Sequence, residues 1–484
     1  MSAFDRTETP HEWFSRLMSR SSSLSSVPPL FVASRPCSAG SVPPPRTPAA
    51  LVVAPMVDQS DLPFRKLCAR HSANLVYSPM IHARMFLDDE SYRLKFMPAS
   101  SSRGTYPGGG ADDAPLFLQF CGNDKDILLR ATTAVQEHCD AVDLNCGCPQ
   151  GIARRGNYGA FLLEKGDVLV GIVSHLSKNL NCRVTVKVRL LPTGLADSLA
   201  LYTRLIDAGA SLLTVHGRDR HQKGQRTGPC SWSSIAAVVK ALGHRVPILA
   251  NGGISDGRDV VRCLEETGAS GVMSSERILE VPALFGEVRA AAEEEEEKAR
   301  RRRDDDSADG NADADDSTRT AAGRGPSRLA LALEYVELAN EFPPERGGQG
   351  NGHKCVRGHL QKMLYAELQS DDDLRDRLCS AADYGSFKQL VLDAMSRFEP
   401  REDDTKLSME TSWYTRHRVP NMDNGASKLD MKQMELEDDF GCCAAGLFGG
   451  DFGGGGGEDD DADADADGGL LREEDEGGEN EEEN

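Results

Sequence analysis

Between about residues 50 and 290 the sequence alternates eight short apolar runs with longer stretches of helical period. The runs are LVVAPM (51–56), LVYSPM (75–80), LFLQF (116–120), AVDLNC (141–146), RVTVKVR (183–189), LLTVHG (212–217), VPILANGG (246–253) and GVMSS (271–275). Segments such as DILLRATTAVQEHC and GRDVVRCLEETG lie between them, and Gly209 and Gly268 stand where helices stop before the next run. Short strands alternating with helices build parallel sheets, and eight such units close into a barrel. The span is the right length for one, since such barrels take roughly 250 residues. The expected fold class is α/β, a TIM (β/α)8 barrel over residues 49–290.

Composition divides the remainder of the 484 residues. Residues 98–114 (PASSSRGTYPGGGADDA) read as an expanded loop, and 291–328 as a disordered charged linker. Amphipathic patterns resume in LALALEYVELANEF, VRGHLQKMLYAELQ and SFKQLVLDAMSRF, which predict a C-terminal helical domain over 329–398. Residues 399–484 form an extension that ends in a disordered acidic, Gly-rich tail. The first 48 residues are rich in Ser, Arg and Pro, but Asp5, Glu8 and Glu12 sit where transit peptides avoid acids. A disordered leader over 1–48 is the expectation there.

The net charge of −22 is a misleading average. From Glu435 onward there are 20 acids and one Arg, and Glu293–Asp316 holds 12 acids and 5 bases. Those two stretches carry −19 and −7, which leaves +4 on the body of the chain. A nucleic-acid partner is therefore not excluded. Thirteen cysteines follow no repeated spacing, and several lie inside apolar runs (Cys68, Cys182, Cys263), as reduced intracellular thiols do. No run of eighteen apolar residues occurs, so no membrane-spanning helix is expected.

In this fold chemistry sits at the C-terminal ends of the strands. The polar or unusual residues fall there: Pro55-Met56, Gln119, Asn145 with Cys148, Lys187 with Arg189, His216 with Arg218, Asn251-Gly252 and Ser275-Glu276. No GxGxxG follows a run, so a Rossmann dinucleotide site is absent. The last run offers backbone N–H groups for a phosphate, and the glycines of NGGI let backbone approach a ligand closely. With a cation at Lys187 and an amide at Gln119, this set suits flavin mononucleotide (FMN). The cysteines of AVDLNCGCPQ stay open at this point between a metal pair, a disulfide and acid/base chemistry. A lone Cys-x-Cys lacks the second ligand pair of a structural zinc site, so no metal is expected.

The ordered set APMVDQSDLPFR, LQFCGND, DLNCGCPQGIARRGNYGAFLL, VTVKVRL, TVHGRDRHQKG, PILANGGI and GVMSSE resembles the flavin-dependent tRNA dihydrouridine synthases. It is most similar to the eukaryotic branch that acts on positions 16 and 17 of the D-loop. VRGHLQKM extends the resemblance into the helical domain. By position, the resemblance implies that Pro55 and Met56, with Val57 beside them, pack on the isoalloxazine, and that Gln119 and Lys187 meet its pyrimidine side. It places His216, Asn251, Gly252 and Gly253 along the ribityl and phosphate path, and Ser275 and Glu276 at the phosphate. It implies Asn145 at the target uracil and Cys148 as the general acid. NADPH or NADH is the implied reductant and tRNA the implied partner. Arg189, Arg218, Arg357 and His359 are candidates for contact with that RNA, as are Lys362 and the loop RDRHQKGQR (218–226).

Where the branch shows Gly after SAE, this chain has Arg277 after SSE, which either strains the phosphate loop or adds a guanidinium to it. The cluster SWYTRHRVP (412–420) fits RNA contact and packing on the barrel equally. Two rival readings are an FMN-barrel reductase of a small pyrimidine or enone and a tRNA-binding protein without catalysis. The expected protein is a monomer in the cytoplasm, with the nucleus and an organelle left open.

Overall fold

The computed structural model describes residues 5–22, 48–96, 115–223, 227–288, 326–344, 352–398 and 412–416. The expected loop at 98–114, the linker up to 325 and the acidic tail lie outside them. Among the described residues there are nine strands: β1 (Ala50–Val53), β2 (Leu75–Tyr77), β3 (Ile81–His82), β4 (Leu116–Cys121), β5 (Ala141–Cys146), β6 (Arg183–Arg189), β7 (Leu213–His216), β8 (Ile248–Asn251) and β9 (Gly271–Ser274). Each pairs in parallel with its neighbours, and β1 meets both β2 and β9 while β2 meets β4, so eight strands close a ring. The two-residue β3 only extends the outer end of β4. The chain forms the (β/α)8 barrel that the alternating runs predict. Strand residues are buried on both faces, under helices outside and against one another inside, which is why most of the runs are apolar, with most polar residues at inward positions such as those of β5 and β6.

The expectation of a disordered leader over 1–48 needs correction at its start. Pro10–Ser22 is a helix, opened by a capping box in which Thr9 N donates to Glu12 Oε2 (2.8 Å) and Glu12 N donates to Thr9 Oγ1 (3.3 Å). Trp13, Phe14, Leu17 and Met18 fill the N-terminal end of the barrel against Ala50, Leu75, Tyr77 and Phe117, with Trp13 stacked on Phe117 at 5.8 Å. Arg20 pairs with Asp140 and Arg183 with Glu8 around the plug. A thirteen-residue helix is marginal alone in water, so this burial is what holds it. With that end filled, a ligand enters the barrel from the C-terminal ends of its strands.

Helices Arg328–Glu341, His353–Met363, Tyr365–Ser370, Asp372–Ser380 and Tyr384–Arg397 form the C-terminal helical region. Arg328–Glu341 packs between Tyr384–Arg397 and the barrel helix Leu62–Arg70. A buried carboxylate ties the parts together: Glu280 takes Arg277 (2.9 Å), Arg328 (3.1 Å), Ser412 Oγ (3.0 Å) and Tyr414 N (3.0 Å). The 412–416 segment thus packs on the helix Glu276–Glu280, the second of its two expected roles. Arg277 lies inside that helix, outside the left-handed region, with its guanidinium on Glu280; it neither strains the loop nor points to a phosphate. Among the described residues no helix is long and apolar enough to cross a membrane.

Candidate active site

Strand register brings the expected residues into layers at the open end. Gln119 lies opposite Asp143 and Asp143 opposite Thr185; one layer up, Asn145 lies opposite Lys187. Above them Arg189, His216 and Asn251 follow one another on β6, β7 and β8. The period of two on each strand turns Asp143 and Asn145 to the same face.

The two cysteines after β5 part company. Cys146 is fully buried in the layer outside the barrel, where burial pushes its thiol pKa up. Cys148 is half-buried on the turn that follows. Its N–H donates to Asn145 Oδ1 (3.0 Å), as does that of Gly147 (3.2 Å), and its carbonyl accepts from Ala160 N (3.0 Å). Gly159, at φ 62, passes so close that a Cβ there would stand 2.6 Å from that carbonyl. The thiol packs with Met80, Cys121, Ala153, Tyr158 and Phe161.

Lys187 faces this turn. No hydrogen bond or ion pair holds its ammonium among the described residues, and a Cβ on Gly147 would be 3.8 Å from it. Burial lowers its pKa to about 8, with Arg189 adding to the effect and Asp143 and Cys148 opposing it. Asp143 is its complement: burial raises the carboxyl to about 6 against the hydrogen bonds of Thr185 and Gln119 and the charge of Lys187. Gln119 is fully buried, donates to Asp143 and accepts from Asn145.

The rest of the rim is fixed by backbone. Met56 closes a turn with Ser60, whose Oγ accepts from Met56 N (3.0 Å); Pro55, Met56 and Val57 are half-buried there, and Asp58 takes φ 55. Asn251 donates to Met273 O (3.0 Å). Gly252 and Gly253, at φ 100 and 82, run against His216, Cys230 and Trp232, so no side chain fits there, and the Gly252 carbonyl accepts from Trp232 Nε1 (3.0 Å). Ser275 and Glu276 start the helix after β9. An unclaimed ammonium, buried amides and bare backbone in one cup fit the electronegative edge and phosphate of FMN.

The arginines and the helical-domain residues differ from expectation. Arg189 is buried and spends its guanidinium on Gly147 O (2.8 Å), Asp219 O (2.7 Å) and Gln222 O (3.3 Å), stapling the Cys148 turn to the next loop. Arg218 holds Gly228 O and meets His216 Nε2 at 3.2 Å. Arg357 donates to Leu378 O and Ala381 O, closing the helix Asp372–Ser380, and Lys362 is buried under Trp413. His359 is fully buried, stacked on Phe64 at 4.4 Å and bonded to Asp61 (2.9 Å), which also accepts from Tyr335 OH (3.1 Å). His359 and Lys362 are buried, while Arg357 is half-exposed with two guanidinium nitrogens on backbone carbonyls; the sequence showed their basic character but not their face of the helix. Asp61, Cys355 and His359 bring ligand atoms within 4.8 Å of one another, yet a 2.9 Å nitrogen–oxygen contact is a hydrogen bond, and the group is a joint between barrel and helical region.

A family model described as dihydrouridine synthase matches residues 52–308, more than half of the chain. The chain belongs to the dihydrouridine synthase family. It is 38% identical over 328 residues to a mouse protein named tRNA-dihydrouridine(16/17) synthase [NAD(P)(+)]-like, an alignment covering 68% of this chain and 58% of that one. It is 35% identical over 372 residues to the Schizosaccharomyces pombe tRNA-dihydrouridine(16/17) synthase [NAD(P)(+)], covering 75% of this chain and 83% of the relative. The Saccharomyces cerevisiae protein of that name is 44% identical over 234 residues, 48% of this chain and 53% of its own. The chain thus spans a little over half the length of two of these three relatives. Dihydrouridine synthase membership leaves Asp143, Thr185 and Asp61 as residues the sequence reading passed over. Their signal was an acid at an inward strand position, two residues before Asn145, and a helix-start Asp.

Proposed function

We propose that this chain reduces the C5=C6 bond of uridine at positions 16 and 17 of the tRNA D-loop, with FMN as cofactor and NADPH or NADH as reductant. The observation that carries the reading is the half-buried Cys148, its backbone pinned by Asn145 and Ala160, across from the Lys187 ammonium, which no hydrogen bond or ion pair holds among the described residues. When bound, the flavin supplies the hydride. The C5=C6 bond of uracil is conjugated to a carbonyl, so C6 takes that hydride and C5 then needs a proton. Cys148, the half-buried thiol on the turn after β5, gives it. The protonated Lys187 would stabilise negative charge developing on a bound flavin. Asn145 keeps one amide hydrogen beyond its bond to Gln119, and that hydrogen suits a uracil carbonyl.

A base inside folded tRNA must leave its stack to reach this cup. Exposed Arg154 and Arg155, directly after the Cys148 turn, take a phosphate-binding role that the fully buried His359 cannot fill. Lys223, which reaches back to Pro149 O (3.0 Å), joins them at the rim. The reading needs one copy of the chain, no metal and no membrane, and suits the cytoplasm. The test is Cys148→Ala: the variant is expected to keep flavin and tRNA binding and to form less than about a hundredth of the dihydrouridine. Full activity in that variant sinks the acid assignment.

A further inference from the structure

Below the Cys148 turn runs a chain of hydrogen bonds with a defined sense. Gly147 and Cys148 N–H donate to Asn145 Oδ1 (3.2 and 3.0 Å). Asn145 Nδ2 donates to Gln119 Oε1 (2.8 Å), and Gln119 Nε2 donates to Asp143 Oδ2 (2.8 Å). Thr185 Oγ1 donates to the other oxygen, Asp143 Oδ1 (2.6 Å). Gln119, Asp143 and Thr185 are 0% exposed and Asn145 9%, so water does not compete for these groups.

Each end dictates the sense of everything between. Backbone N–H groups only donate, so Asn145 must turn its oxygen to them and its nitrogen to Gln119. Gln119 must then accept with Oε1 and donate onward with Nε2. The group at the far end has to accept without donating, which an ionised carboxylate does and an amide does not. We propose that Asp143 is a positioning residue for the reaction: through Gln119 and Asn145 it holds the Cys148 turn in place and sets which atom Asn145 turns to the cup. This rests on the reading of Cys148 as the proton donor above.

Asp143→Asn shows why the charge matters. An asparagine must turn its NH2 to Gln119 or to Thr185. Turned to Gln119, it reverses both amides and ends with Asn145 Nδ2 against the N–H groups of Gly147 and Cys148, donor against donor. Turned to Thr185, it needs the hydroxyl to reverse and leaves the chain neutral. Neither keeps the sense fixed from both ends.

The experiment compares the two half-reactions of the flavin-loaded protein, followed by flavin absorbance. NADPH reduces the flavin, and D-loop-bearing tRNA reoxidises it. In Asp143→Asn and Asp143→Ala the tRNA step is expected to slow at least tenfold more than the NADPH step. In a Cys148→Ala background, adding Asp143→Asn is expected to slow the tRNA step by no more than about twofold, because residues acting as one unit do not add. Equal slowing of both steps, or a full additional loss in the Cys148→Ala background, overturns the proposal while the functional reading stands. A parent protein whose reduced flavin tRNA leaves untouched overturns that reading and this proposal with it.

Discussion

Gly159→Ala tests whether the Cys148 turn is held as tightly as its contacts require. At φ 62 the backbone is in the left-handed region, where a residue with a Cβ loses about 1 kcal/mol. The new methyl would lie 2.6 Å from Cys148 O and 3.0 Å from Cys148 Cβ, against an ordinary contact that starts near 3.4 Å. Relief takes a shift of roughly 0.8 Å, and the atom in the way is backbone, which has no rotamer to swing aside. The Ala160 N–H to Cys148 O bond goes with it, worth about 1 kcal/mol. A total near 2 kcal/mol lowers Tm by a few degrees and leaves the barrel folded. Catalysis is hit harder, because misplacing a reacting group by about 1 Å costs on the order of 100-fold. The assay is dihydrouridine formed in tRNA, with flavin absorbance as the check on folding. Gly151→Ala, where an added Cβ meets nothing within 4 Å, is the control and stays within about threefold of the parent. A Gly159→Ala protein with unchanged Tm and full turnover would refute the reasoning.

Three further outcomes follow from other parts of the molecule. The Lys187 ammonium, with pKa about 8 in the ligand-free protein, is charged at pH 7 and mostly neutral at pH 9. If the FMN ring edge favours the charged form, binding above pH 8 takes up a proton, and Kd rises up to tenfold per pH unit, which titration of FMN at pH 7 and 9 measures. Lys187→Met should flatten that profile, and its absence in the parent counts against the assigned contact. Trp13→Ala empties the stacked plug and is expected to cost about 3–5 kcal/mol in denaturant unfolding, with turnover per folded molecule unchanged. Glu280→Gln leaves Arg277 and Arg328 buried without their carboxylate and is expected to cost about 3 kcal/mol, read as a fall in Tm.

The N-terminal plug shows how a local signal is lost to a global one. Thr9, Pro10 and Glu12 spell a helix start, and Trp13, Phe14, Leu17 and Met18 share one face after it. The Ser- and Pro-rich stretch that follows dominates the composition of the first 48 residues, so a compositional reading averages the helix away. The barrel was easier to read, because eight repeats of one pattern reinforce each other and strands buried on both faces are mostly apolar.

The site divides along a similar line. Residues that end strands are legible because the fold itself sends them to one rim; Gln119, Asn145, Lys187 and His216 come together for that reason. The burial of His359 was not legible, because a basic residue on an amphipathic helix carries no sign of its face once it sits between two apolar surfaces. His359 lies between Phe64 and Tyr335, with its Nε2 bonded to Asp61, nearly 300 residues away in sequence. Arg189 is intermediate: its strand-end position is legible, its three carbonyl partners are not, since they lie on loops whose paths only the folded chain defines. Asp143 was legible in principle. An acid on an inward strand position, among runs otherwise free of charge at that depth, is costly unless something uses it. Its neighbours in register, Gln119 and Thr185, are the two polar side chains able to donate to it, and they follow from the strand pairing alone. Where a buried carboxylate and its donors coincide in this way beneath a reactive turn, the polar pattern of the strands already carries part of the mechanism.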